Sequence, residues 1–377
     1  MSPTALRTEV RPVAEVAPDL WTGFGPGVPF YAGHRWLTCA AEATGEEVLA
    51  VTVGDGRRLL AAVPAWVTTG RENPFLQPER LLPTADPAGR PYLCVATKKA
   101  YTSPLLTAPG ADRPEVLARL LDGVRRVVRE RDLAGAVALY ADTATVRRWH
   151  PVLADRHPVL LDVDASVERL PAEFAGHPLA VASKRRREVQ REWRVFEGAG
   201  YRLGVEHLAD CLDEFVPLAA NLERKHGNPV DEDGLRHTLE VQARHCRDDD
   251  LVFTARRDGR LVVACLAYTD RDTVYSRMFA MDYEAAGQAF EYFGLAYYLP
   301  VRHAVEHGFR RVNLGMSTVA AKIARGAEVR PLWALDLGER PLWTPDRARA
   351  ANADRRAALD PRAGAPETAD TDPRWPW

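Results

Sequence analysis

Cysteine is scarce in this sequence and shows no pattern: Cys39, Cys94, Cys211, Cys246 and Cys265 stand far apart in 377 residues. No C-x-x-C pair occurs, which removes the usual zinc and dithiol motifs, and five scattered thiols do not make a disulfide framework. Reduced thiols, no bound metal and a cytoplasmic location are the expectations. Long apolar runs are missing as well. LVVACLAY at 261–268 is strand-length, well short of the roughly 20 residues of a helical membrane span. The opening residues MSPTALRTEVRPVAEVAPDL lack a basic start followed by an apolar core, so no signal peptide is expected. Net charge is nearly absent too. Fifty Lys plus Arg against 52 Asp plus Glu leave −2, which excludes attraction of the whole molecule to nucleic acid or membranes and confines any polyanion site to a local patch.

What is present is length and periodicity. A chain of 377 residues exceeds the roughly 250 that one core comfortably serves, so two domains are expected. Residues 1–18 read as a lead-in and 19–165 as the first domain. In it, PFYAGHRWLTCAAEATG carries helical spacing and a Gly45 stop, and the segment after it alternates around Asp55-Gly56, a hairpin signal. Five prolines between positions 71 and 91 predict an ordered loop or lid. A helix at PEVLARLLDGVRRVVRERD and a strand at AGAVALYA follow.

Residues 166–343 read as the second domain, on a similar plan. SKRRREVQREWRVFEGAG predicts a helix with Val189, Trp193 and Phe196 on one face. A strand at YRLGVEHL, helices at CLDEFVPLAANLERKHG and DEDGLRHTLEVQARHC, and three strands around Asp258-Gly259 come next. The stretch from Phe290 to Pro331 then predicts a helix, a strand at 311–314, a Gly-Met-Ser-Thr turn and a second helix, although Pro300 interrupts the first. A last strand at LWALDL is expected, and residues 344–377 read as a flexible tail. The shared order of helix, Asp-Gly hairpin and helix–strand pair suggests an internal duplication.

FEYFGLAYYLPVRHAVEHGFRRVNLGMSTVAAKIARGAEVRP resembles the FemAB-like branch of the GNAT acyltransferase superfamily, as do SKRRREVQREWRVFEGAGYRL and NLERKHGNP. The resemblance implies an α/β fold of two tandem GNAT-like domains, with mixed, mainly antiparallel sheets flanked by helices. It implies an N-acyltransferase that moves an activated acyl group onto the amine of a small-molecule or cell-wall-type acceptor. The donor it implies is aminoacyl-tRNA, with tRNA as a candidate partner, or acyl-CoA, and no tightly bound cofactor is expected. Acyl-CoA enzymes of the superfamily carry Q/R-x-x-G-x-G/A after the central strand. MDYEAAGQAFE offers only Gly287 there, which tilts the expectation toward aminoacyl-tRNA. A GNAT-fold binding protein without catalysis is the remaining alternative; the Lys322 block would then lie buried or blocked.

For catalysis the expected residues are Lys322, near a helix start where an ammonium can stabilise an oxyanion, and Glu223 and His226, at a helix end where groups project into clefts. Asp282, Glu291 and His303 are weaker base candidates, Glu291 being suited to capping its helix and His303 to a core hydrogen bond. The substrate-binding set is Arg325, Gly315, Ser317, Thr318, Lys225, Tyr283 and Tyr298, with Ser317 or Thr318 also suited to capping. Lys184, Arg185, Arg186, Arg187, Arg191 and Arg194 face only Glu188 and Glu192, a local +4 that suits an RNA backbone or an anionic sugar nucleotide. A solvated helix face explains the same run.

Overall fold

The computed structural model of the protein describes residues 6–83, 89–172, 174, 183–225, 227 and 229–359. Contacts divide the chain into two units, one of residues 1–162 with 330–377 and one of 163–329.

The first unit holds β1 (Arg7–Pro12), β2 (Leu49–Gly54), β3 (Leu59–Val67), β4 (Leu93–Val95), β5 (Leu106–Thr107) and β6 (Ala136–Asp142). Gly56 turns β2 into β3 with φ of 83°, the left-handed value that a tight hairpin asks of glycine. Nearly every residue of β2 and β3 is buried, so these strands read as continuous apolar runs rather than alternating ones. The Pro114–Glu130 helix supplies much of the cover. Its Val116, Leu117, Leu120, Leu121, Val124 and Val127 are buried at the spacing of one helical face.

The second unit holds β7 (Val159–Val167), β8 (Arg202–Glu206), β9 (Asp250–Arg257), β10 (Arg260–Asp270), β11 (Thr273–Met281) and β12 (Arg311–Gly315), in the order β7-β12-β11-β10-β9-β8. One sheet face meets Val189, Trp193 and Phe196 of the Ser183–Glu197 helix, together with Leu295, Tyr297, Tyr298 and Val301. Alternation turns Tyr268 to the other face, where its hydroxyl donates to Gln242 of the Glu232–His245 helix at 2.8 Å.

Each unit contains one short parallel pair in a mainly antiparallel sheet. Leu93–Val95 of β4 runs beside Ala136–Ala138 of β6, and Thr273–Tyr275 of β11 beside Arg311–Asn313 of β12. Both pairs lie downstream of an Asp-Gly hairpin and are joined through helix, which agrees with a duplicated α/β plan. The chain passes from the first unit to the second within β7, after Asp162, and returns within the strand Glu328–Asp336, after Val329. β7 pairs antiparallel with β12, and β13 (Glu328–Asp336) pairs antiparallel with β6.

The contact division falls at 162/163 and 329/330, beside the expected domain limits of 165/166 and 343/344. Other differences have local causes. Residues 7–12 of the supposed lead-in form β1, paired with β2, and the proline-rich loop contains helical turns at Pro74–Leu76 and Pro78–Leu81. The Thr143–Leu153 helix and β7 were not foreseen, although VDASV alternates clearly. The supposed tail forms a helix over Pro345–Ala358, held by buried Asn352, which accepts from Leu160 N at 2.6 Å and donates to Pro158 O at 3.1 Å. Residues 360–377 lie outside the described part.

The aromatic helix is not continuous. Glu291–Phe293 leads into a π segment at Gly294–Tyr298 and an α-helix at Leu299–Glu306. Pro300 has no N–H to give to the carbonyl four residues back; that carbonyl, Ala296 O, accepts instead from Ser276 Oγ at 3.1 Å. Gly294 lets the segment lie against the Ser183–Glu197 helix: a Cβ there would stand 2.6 Å from three ring atoms of Phe196. Gly294→Ala should therefore destabilise the protein by about 1–3 kcal/mol through overpacking, read as a lower denaturation midpoint in urea.

Candidate functional site

After Tyr275 and Asn313 the ladder between β11 and β12 stops. β11 then bulges: Leu266 and Ala267 of β10 face Met278 and Ser276, so that Arg277 is the extra residue on β11. Bulges of this kind re-aim side chains and end pairing beside functional sites. The ends of both strands lead into backbone turns, Asp282–Phe290 after β11 and Gly315–Thr318 after β12.

The first turn is built around an anion that the chain itself supplies. Gln288 and Phe290 have φ of 56° and 63°, and such alternation turns successive N–H groups toward one concavity. Glu291 fills it. Its Oε1 accepts from Gly287 N at 2.7 Å and from Tyr201 Oη at 3.0 Å, and its Oε2 accepts from Ala289 N at 2.7 Å. The residue is 5% exposed. Arg257 secures the rim by donating to Ala285 O at 2.7 Å and Ala199 O at 3.2 Å, while its guanidinium lies over the Tyr201 ring. Glu291 thus holds the loop ahead of its helix in place of the expected helix cap, since both amides precede Glu291–Phe293.

The second turn places Gly315, Ser317 and Thr318 at φ of 68°, 61° and 50°. A β-branched residue in this region is strained. Thr318 occupies the N-cap position of the Val319–Ile323 helix without a side-chain cap bond; its hydroxyl meets Tyr292 Oη at 3.1 Å. Lys322 holds the turn from below. Its Nζ donates to Leu314 O at 2.7 Å, Gly315 O at 3.2 Å and Met316 O at 2.8 Å, and the residue is 3% exposed. One ammonium thus serves three carbonyls and clamps the turn.

Arg325 is likewise committed. Its Nε and Nη2 meet Glu192 at 2.9 and 2.8 Å, its Nη1 donates to Ala321 O at 2.7 Å, and its plane lies 3.4 Å from the Phe293 centroid. Tyr298, fully buried, donates to Glu192 at 2.6 Å, and burial raises its pKa well above the usual phenol value. Arg325 and Tyr298 therefore both engage Glu192. A charge this deeply placed needs a partner of matched geometry, which the bidentate pair provides.

Lys225 and Tyr283 are brought together, the ammonium 3.4 Å from the ring centroid. Glu223, two residues before Lys225 on the same helix end, is exposed, and His226 lies outside the described residues. Asp282 pairs with Arg260 at 2.7 Å and accepts from Glu284 N and Ala285 N. His303 stacks on His307 at 3.9 Å in place of the expected core hydrogen bond; burial, first, and the neighbouring His307 lower its pKa to about 4. On the Ser183–Glu197 helix, Arg185 pairs with Glu188 at 2.7 Å while Arg186, Arg187, Arg191 and Arg194 are exposed. Glu192 of that helix is the buried exception. The Lys184 side chain lies outside the described part.

Several polar residues beside the β11–β12 separation escaped sequence reasoning. Asn313 donates to Asp164 at 2.5 Å, Arg311 contacts Glu168 at 2.9 Å, and Ser166 donates to Glu168 at 2.6 Å. The alternation of Asp164, Ser166 and Glu168 with Val163, Ala165 and Val167 was the available signal. Among the described residues, no group of three or more His, Cys, Asp or Glu could hold a metal ion, and no helix is long and apolar enough to cross a membrane. The five cysteines are free and buried. Burial raises the thiol pKa of Cys211 and Cys265 to about 12.

The sequence matches the FemAB-like family, described as peptidoglycan biosynthesis/recognition, across residues 13–341. The chain belongs to the FemAB-like family. This places it among acyl and aminoacyl transferases. FemX shares the fold at a TM-score of 0.60 and 10% identity, over 87% of this chain and 97% of that one. The C-terminal domain of a putative lysylphosphatidylglycerol synthetase from Agrobacterium fabrum gives 0.53 and 13%, over 86% and 91%. A tandem GNAT protein from the clavulanic acid biosynthesis pathway gives 0.50 and 16%, over 89% and 100%. A search of curated proteins found no match.

The clamp role of Lys322 makes a sharp prediction. Lys322→Met leaves three carbonyls without their shared donor, so it should destabilise the protein by about 2–4 kcal/mol. Faster proteolysis near Met316 and a lowered denaturation midpoint would be measured.

Proposed function

We propose that this FemAB-like protein is an N-acyltransferase that moves an aminoacyl group from aminoacyl-tRNA to the amine of a small-molecule or cell-wall-type acceptor. In that step the neutral amine attacks the ester carbonyl, the C–N bond forms, the ester C–O bond breaks, and the ribose hydroxyl leaves carrying the proton given up by the amine. Glu291 carries the choice of donor. Its carboxylate takes the loop amides at 2.7 Å where a coenzyme A pyrophosphate would need them, and a second anion there would meet repulsion in a partly desolvated site. The exposed arginines of the Ser183–Glu197 helix suit a polyanionic donor, and the family description supports a cell-wall-type acceptor.

Within this reading Lys322 is a positioning residue acting through the Gly315–Thr318 turn. Glu223 and His226 are the candidates for accepting the amine proton, and Lys225, near Glu223 in sequence, lies over the Tyr283 ring. The burial of Lys322 and Arg325 favours a second reading, a GNAT-fold binding protein without catalysis, because those side chains were the expected substrate contacts.

The full-length protein incubated with charged tRNA mixtures and, separately, with acyl-CoAs, each with an amine panel, separates the readings. Amine-dependent loss of the aminoacyl ester alone is expected. Loss of the thioester would shift the donor to acyl-CoA, and consumption of neither would leave the binding protein. A double substitution, Arg186→Ala with Arg187→Ala, should weaken tRNA binding about tenfold and flatten its salt dependence by roughly one to two units of log–log slope. Unchanged binding would remove this helix face from the donor site.

A further inference from the structure

A cavity of about 430 Å³ lies wholly within the first unit, at the end of the sheet where β4 and β6 begin and β13 finishes. Arg90, Arg125, Arg129 and Arg340 line it against a single lining carboxylate, Glu339. Its walls also include Tyr92, Val128, Leu133, Pro341 and Leu342. The size is in the range of small-molecule sites, about 300–1,000 Å³, and a few directed polar groups over an apolar wall are what such sites present.

The charges are not mutually cancelled. Arg129 pairs with Glu339, and Arg90 pairs with Asp132 at 3.2 Å, both pairs being well exposed. Pairs in that setting contribute little and exchange readily. Arg125 is oriented by backbone alone, its Nε donating to Leu337 O at 3.2 Å and its Nη2 to Gly338 O at 3.0 Å. Arg340 is exposed and makes no ion pair or side-chain hydrogen bond among the described residues. Arg340 thus leaves a positive charge at the cavity beside Arg125, which is fixed in direction and attracts the buried Asp336 carboxylate that Arg156 shares. A guanidinium so placed matches the oxygens of phosphate.

We infer that this cavity is a binding site for a phosphate monoester, the dianion meeting Arg125 and Arg340 and its organic body resting on Leu133, Leu342 and Tyr92. The site is separate from the turns that follow β11 and β12, and it stands whether or not the protein transfers acyl groups.

Calorimetric titration of the full chain with phenyl phosphate, inorganic phosphate and benzoate tests it. Phenyl phosphate should bind at least tenfold more tightly than either of the others, because only it supplies both dianion and apolar body. Arg340→Ala, an exposed change that should leave the thermal midpoint in place, should weaken phenyl phosphate at least fivefold, and Arg340→Lys should recover part of that loss. No binding, equal binding of all three probes, or affinity untouched by Arg340→Ala would overturn the assignment.

Discussion

A buried carboxylate sets the terms for the rest of the second unit. Glu291 is 5% exposed, and a carboxylate so buried needs hydrogen-bond donors, which the chain supplies from Gly287, Ala289 and Tyr201. To do so the loop must place Gln288 and Phe290 in the left-handed region, a conformation whose cost the hydrogen bonds offset. The same contacts fix where the aromatic segment begins, and hence how the π turn and Pro300 meet β11. One side chain therefore links loop conformation, helix entry and the chemistry the loop can accept.

The second turn uses the same solution with the opposite sign. Lys322 satisfies three carbonyls with one ammonium, while Arg325 is neutralised by Glu192 under Tyr298. Buried charges of this sort bring little net stability over apolar packing but are expensive to break singly. Their effect is directional: the backbone of both turns is held at the ends of β11 and β12, where the strands separate. Outside the clamps stand Glu223 and Lys225 at one helix end, Lys225 against the Tyr283 ring, and the exposed arginine face.

Much of the fold was legible in the residues because its signals are local. Asp-Gly pairs at 55 and 258 marked the hairpins, and the spacing of Val189, Trp193 and Phe196 marked a packed helix. The partners of β7 and β13 were not legible, since their pairing is long-range: nothing in VLLDVDASV or EVRPLWALD states which strand it will join. The candidate site was legible as a neighbourhood, while the contacts its side chains make were not. Lys322 and Arg325 sit where the family resemblance puts them, yet a one-dimensional reading cannot tell a charge that faces solvent from one that faces Leu314 O or Glu192. Glu291 was expected to cap its helix; that its carboxylate instead occupies the loop amides needed the φ values of Gln288 and Phe290, which no composition predicts.

Equilibrium binding of coenzyme A to the unmodified full-length protein tests the central claim most directly. With Glu291 in the loop cradle, the account predicts no detectable binding at micromolar concentrations of the cofactor. Saturable micromolar binding that protects the Gly287–Phe290 amides from hydrogen exchange would contradict it.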